Sequence, residues 1–110
     1  MDDFLYCKIE IFIPETHLAI LQVALRSVDA GHIGNYDSCI SYSKVNGCWR
    51  PLKGSNPYIG EEDVLSSEPE LKVEVACLRA NIDITIDAIK KIHPYEVPAI
   101  NVIPLYRTSF

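Results

Sequence analysis

An α+β sandwich of the ferredoxin-like βαββαβ type, carrying one accessory β-hairpin, is the fold class that this 110-residue sequence predicts. Three observations predict it. Segments 5–13 and 71–78 alternate apolar and polar residues with the period of two expected of a strand buried on one face. Each is followed by a run whose apolar residues recur at spacings of three and four, first Leu18, Leu21, Leu25 and Val28, then Ile82, Ile86, Ile89 and Ile92. The two halves also match one another. A shift of about 64 residues lays Lys8-Ile9-Glu10-Ile11 on Lys72-Val73-Glu74-Val75, and Leu18, Leu25 and Val28 on Ile82, Ile89 and Ile92. The chain is therefore two βαβ units in a single domain, 1–110.

The elements follow in order. Cys7, Ile9, Ile11 and Ile13 form the apolar side of the first strand, which Pro14 closes. Gly31 is expected at the C′ position of the first helix with φ > 0, since glycine carries no β-carbon to clash there. Ser38–Ser43 reads as the second strand. The pair Asn46-Gly47 predicts a tight hairpin turn, with Trp49–Leu52 as a short returning strand cut off by Pro51. Residues 53–67 read as loop, and Glu61-Glu62-Asp63 as a solvated turn. Asn81 is the expected N-cap of the second helix, and His93-Pro94 its end, because a residue before proline is pushed out of the α region. Segment 99–105 is the last strand. The helices cover the Ile/Val face of the sheet, which leaves Lys8, Glu10, Lys72 and Glu74 on the other.

Composition narrows the function. Hydrophobic residues make up 48% of the chain, enough for a real core. The net charge of −5 offers no basic stripe for nucleic acid, and no apolar run approaches the length that spans a bilayer. The acidic start Met1-Asp2-Asp3 lacks the basic beginning of a signal peptide, so the chain reads as cytoplasmic. Cys7, Cys39, Cys48 and Cys77 show no C-x-x-C spacing; they read as free thiols, with Cys7 and Cys77 close together on neighbouring strands.

The polar residues able to carry chemistry lie on connectors. Gly31-His32-Ile33-Gly34-Asn35-Tyr36-Asp37 links the first helix to the second strand and gathers His32, Tyr36 and Asp37. His93 and Glu96 follow the second helix, and Arg50 stands beside Trp49. An imidazole there serves as a metal ligand, a general base or a helix C-cap. Asp37 orients His32 or makes an Asx turn; Arg50 grips an anion or pairs with the acidic loop. The candidate ligand-binding set is thus His32, Tyr36, Asp37, Arg50, His93 and Glu96. For a divalent metal ion, the only cofactor that these residues suggest, the candidates are His32, His93 and Glu96. No nucleophile motif or phosphate-binding loop accompanies them.

The motif Gly31 to Cys39, then Trp49-Arg50-Pro51-Leu52-Lys53-Gly54-Ser55-Asn56-Pro57-Tyr58-Ile59-Gly60, then His93-Pro94-Tyr95-Glu96, resembles the inserted domain of the Nif-three-like family, also called dinuclear-metal or GTP-cyclohydrolase-type-two-like proteins. The resemblance covers nearly the whole chain. It implies a CutA-like or PII-like ferredoxin fold, occurring here alone, whereas the family inserts it in a larger metal-binding domain whose ligands have no counterpart in this sequence. It further implies a non-catalytic, homo-oligomeric module, a trimer by likeness to CutA, binding a metal, a small molecule or a protein. The alternative is a small hydrolase or cyclohydrolase-like enzyme using His32 and His93. The chain departs from the family after His-Pro-Tyr-Glu, with Val97, Ile100, Asn101 and Ile103 where acidic and phenolic groups are common.

Topology constrains the two histidines. In a βαββαβ sandwich the two helix-to-strand loops open at opposite ends of the sheet, about 20 Å apart for six-residue strands. A His32–His93 site is then expected only at a subunit junction, with His32, Tyr36 and Asp37 from one copy and His93 or Glu96 from another.

Overall fold

A computed structural model describes residues 3–110, so the start Met1-Asp2 lies outside the described residues. Four strands and two helices follow one another as β1 (Tyr6–Ile13), α1 (Leu18–Ser27), β2 (Ile40–Trp49), β3 (Ser66–Leu78), α2 (Ile82–Ile92) and β4 (Ile100–Leu105). A short 3₁₀ turn leads into each helix. The sheet order is β2-β3-β1-β4 and every neighbouring pair is antiparallel. This is the predicted ferredoxin-like βαββαβ arrangement, with β1 and β3 neighbours at its centre.

The period of two in β1 and β3 sets which face is buried. Ile9, Ile11 and Ile13 of β1 and Leu71, Val73 and Val75 of β3 pack with Leu21 and Leu25 of α1 and Ile89 of α2. All are at most 2% exposed. Burial of each such aliphatic side chain is worth about 1.5–3 kcal/mol. Cys7 faces Cys77 across the two strands, and its Sγ–H donates to the Cys77 carbonyl at 3.4 Å. Burial, then the neighbouring Cys77, push the Cys7 thiol up to about 12, so it is an inert core group.

Three local expectations are corrected. The Asn46-Gly47 pair makes no turn, and the accessory hairpin is absent. β2 runs straight through it, with Asn46 opposite Pro69 and Gly47 opposite Glu68. The reason is the length of β3: its first residues, Ser66–Glu70, lie beyond β1 and give β2 a partner all the way to Trp49. Pro69 is tolerated because that part of β3 pairs on one side only. At the helix end, Asp29 (φ 63), two residues before Gly31, is the left-handed residue that follows the cap Val28. Gly31 is left-handed too (φ 80), but it serves the crossover to β2: its N–H donates to Ala76 O and its carbonyl accepts from Cys39 N–H. Asn81 stands at the start of α2 without a side-chain cap; its carbonyl accepts from the Thr85 hydroxyl instead.

Candidate functional site

The face of the sheet away from the helices has two regions. In its middle Lys8, Glu10, Lys72 and Glu74 pair with one another inside one chain, Lys8 Nζ lying 3.0 Å from Glu74 and Lys72 Nζ 3.4 Å from Glu10. The hydrogen bond between Lys8 and Glu74 raises the lysine and lowers the carboxyl from their ordinary values. At one end of that face lies a cavity of about 620 Å³. Strand register builds its floor, because Phe12, Lys72 and Ser43 sit across from one another and Glu70, Gly47 and Trp49 continue the same face by twos. The 50–65 loop and the 94–99 segment rise around it.

Each wall is held by an identifiable bond. Trp49 Nε1–H donates to Ile59 O at 3.1 Å and Asp63 N–H to Pro51 O at 2.7 Å, which fold the loop back on β2. The 94–99 segment is tied to it where Asn56 N–H donates to Glu96 Oε1 at 2.8 Å. The Tyr95 ring centroid lies 5.7 Å from Trp49 and 6.1 Å from Tyr58, completing an aromatic wall. Tyr95 O–H donates to Glu70 Oε2 at 2.7 Å. Burial, then that bond, push the Tyr95 phenol well above its usual range, so it stays protonated and donates.

His93 is a structural member of this end. Its Nε2 lies 2.7 Å from the Phe12 carbonyl, which only accepts, so Nε2 carries the proton. Its Nδ1 accepts from Tyr95 N–H at 3.2 Å. Burial holds its pKa below the usual histidine value, and the imidazole is neutral with both nitrogens committed. His32 is committed in the opposite sense. Its Nδ1 lies 2.7 Å from Asp29 Oδ1 and its Nε2 2.9 Å from Gly34 O, two acceptors that favour the doubly protonated ring. The bond to Asp29, then that to Gly34, raise its pKa.

The candidate residues thus fall into two groups. Arg50 and Glu96 line the cavity and His93 supports it through Tyr95. His32, Tyr36 and Asp37 occupy the other end of the sheet, where Gly31 meets Ala76, whereas His93 meets Phe12 at the far end of β1. The two histidines do not meet within one chain, as the topology requires. Asp37 does not orient His32: Asp29 does, and Asp37 accepts from Ser38 O–H instead. Arg50 forms no ion pair with the acidic loop; it stands exposed on the cavity rim. Glu70 lies in no motif, and the motif that holds Tyr95 does not show that its hydroxyl meets Glu70. Only the register that places Glu70 on the floor next to a glycine could have signalled the pair.

A divalent ion does not fit the candidate ligands. Both ring nitrogens of each histidine are already in hydrogen bonds, and one oxygen of Glu96 accepts from Asn56. Among the described residues no three His, Cys, Asp or Glu side chains converge on one point. No helix among them is long and apolar enough to cross a membrane.

No protein-family model matches the chain. Among curated proteins it is 40% identical over 98 residues to the GTP cyclohydrolase 1 type 2 homolog of Halalkalibacterium halodurans, a match covering 89% of this chain and 26% of that protein. It is 40% identical over 106 residues to the Listeria monocytogenes protein of the same name, covering 96% and 28%. The chain therefore spans about a quarter of the length of the curated relatives it matches. Among solved structures, a Bacillus cereus protein related to NIF3 superposes with a TM-score of 0.82 at 31% identity, over 94% of this chain and 26% of that one. The divalent cation tolerance protein CutA of Archaeoglobus fulgidus superposes at 0.70 and 17% identity, over 94% and 87%, which shows a shared fold. By sequence and by structure, the chain matches a CutA-like segment of the longer NIF3-related GTP cyclohydrolase 1 type 2 homologs.

Proposed function

We propose that this domain is a non-catalytic binding module that works as a homo-oligomer, a trimer by likeness to CutA, and takes a small molecule or a protein group in the cavity walled by Trp49, Tyr58 and Tyr95. The cavity carries the reading. Its size suits an organic ligand, and apolar walls with few convergent polar groups are typical of such sites. The histidines support binding over hydrolysis, since both ring nitrogens of His93 are in hydrogen bonds and His32, bonded to Asp29, lies at the other end of the sheet. Arg50 and Glu96 are the rim contacts; His32, Tyr36 and Asp37 reach this end only from a neighbouring copy. A cytoplasmic setting fits four cysteines that are all free thiols.

Trp49 is the sole tryptophan and lines the cavity, so its fluorescence reports occupancy. Titration of the purified protein with neutral, anionic and cationic organic probes is expected to give a saturable change with at least one class. Absence of a saturable response to all three would overturn the binding role.

A further inference from the structure

Glu70 differs from Glu10 and Glu74 on the same face. Glu10 and Glu74 are ion-paired, whereas Glu70 is only 6% exposed and has no cation beside it among the described residues. Its one polar partner there is the Tyr95 hydroxyl, on Oε2. A carboxylate offers about four acceptor positions, and an unpaired buried charge is costly. Glu70 lines the cavity, and its other oxygen, Oε1, lies over the backbone of Gly47. A β-carbon at residue 47 would lie 2.5 Å from Glu70 Cδ, so the missing side chain is what lets the carboxylate lie there.

Resting on the binding role proposed above, we infer that the cavity takes a compact organic cation, an alkylammonium or guanidinium head, with Glu70 as its counter-ion and Trp49, Tyr58 and Tyr95 as its aromatic walls. Each half of that site needs the other. The carboxylate supplies the charge that an apolar cavity lacks, and ring faces attract a cation by their quadrupole. Arg50 does not fill this role, since it is exposed on the rim and forms no ion pair with Glu70. An anionic ligand would meet Glu70 on the floor and Glu96 on the wall. The same head group occurs on free amines and on lysine or arginine side chains of proteins.

The assembled protein is titrated by Trp49 fluorescence with n-butylammonium and ethylguanidinium, against n-butanol and butyrate of similar size. Saturable binding is expected for the two cations, with the alcohol and carboxylate at least tenfold weaker. Glu70→Gln should weaken the cations at least tenfold, while Glu62→Gln, the same charge change on the exposed loop, leaves them unaffected. Tyr58→Leu, at a half-exposed ring that costs the fold little, should weaken the cations more than n-butanol. Nα-acetyl-lysine methylamide binding more tightly than n-butylammonium assigns the head group to a protein side chain; the reverse order assigns it to a free amine. Binding of n-butanol or butyrate as tight as that of n-butylammonium overturns the inference and leaves the binding role standing. So does cation binding that Glu70→Gln does not change.

Discussion

At the scale of single residues, backbone space and proton position decide most of what this chain does. At Gly31 a β-carbon would meet Cys39 O at 2.9 Å in a backbone already at φ 80. Gly31→Ala is expected to cost about 1–3 kcal/mol, read as a lowered denaturation midpoint with an unchanged m-value. The histidines should titrate in opposite directions. Folding raises His32 above its ordinary 6.5, so its contribution is fully present below that value and fades as pH rises through the higher folded pKa. Folding lowers His93, so the unfolded chain binds the extra proton, and stability is lost as pH falls from 6.5 through the lower folded pKa. Proton-resolved titration by NMR should give one midpoint above 6.5 and one below it. Asp29→Asn should bring the first back towards 6.5, and two coincident midpoints would contradict both hydrogen-bond assignments.

At the scale of elements, the sheet was legible where one face is buried and illegible where it is not. β1 and the second half of β3 alternate strictly because α1 and α2 lie on them, and the repeat between the two halves exposed their pairing. The first half of β3 has no helix above it and carries Pro69, so nothing in its pattern separates it from loop. For the same reason Asn46-Gly47 carries a local turn signal that only pairing with the distant β3 overrides. The cavity divides likewise. Trp49, Tyr58, Tyr95 and Glu96 lie in recognisable motifs, but Glu70 acquires its place only through the register with β2. The 50–65 loop therefore depends on few long-range ties, and Trp49 Nε1 to Ile59 is one of them. Trp49→Phe keeps a ring on the wall and removes that donor. Amide exchange over residues 51–63 should accelerate while β1 and β3 stay protected, and unchanged exchange would show that the tie is dispensable.

At the scale of the whole molecule, Lys8, Glu10, Lys72 and Glu74 on the open face already satisfy one another within a chain, which makes them poor contacts for the proposed assembly. The edges are better candidates. β2 and β4 each pair on one side only, and they differ in length and exposure. A bare edge strand is a template for another chain. Joining the β2 edge of one copy to the β4 region of the next is a head-to-tail contact, which closes a ring when the rotation per copy is right. Apolar groups stand ready on both sides, with Tyr42 on β2 and Ile103 on β4 exposed at 55% and 38% in the single chain. Light scattering at micromolar concentration should give three times the 12.4 kDa chain mass. Raising salt from about 0.1 M to about 1 M should leave that mass unchanged, since screening weakens exposed charge pairs and spares apolar contacts. Ile103→Lys places a charge on β4 at a side chain the single chain leaves partly open, so the fold should persist by circular dichroism while the mass falls towards that of one chain. A monomer at the outset, or dissociation by salt alone, would mean that the edges do not hold the copies together.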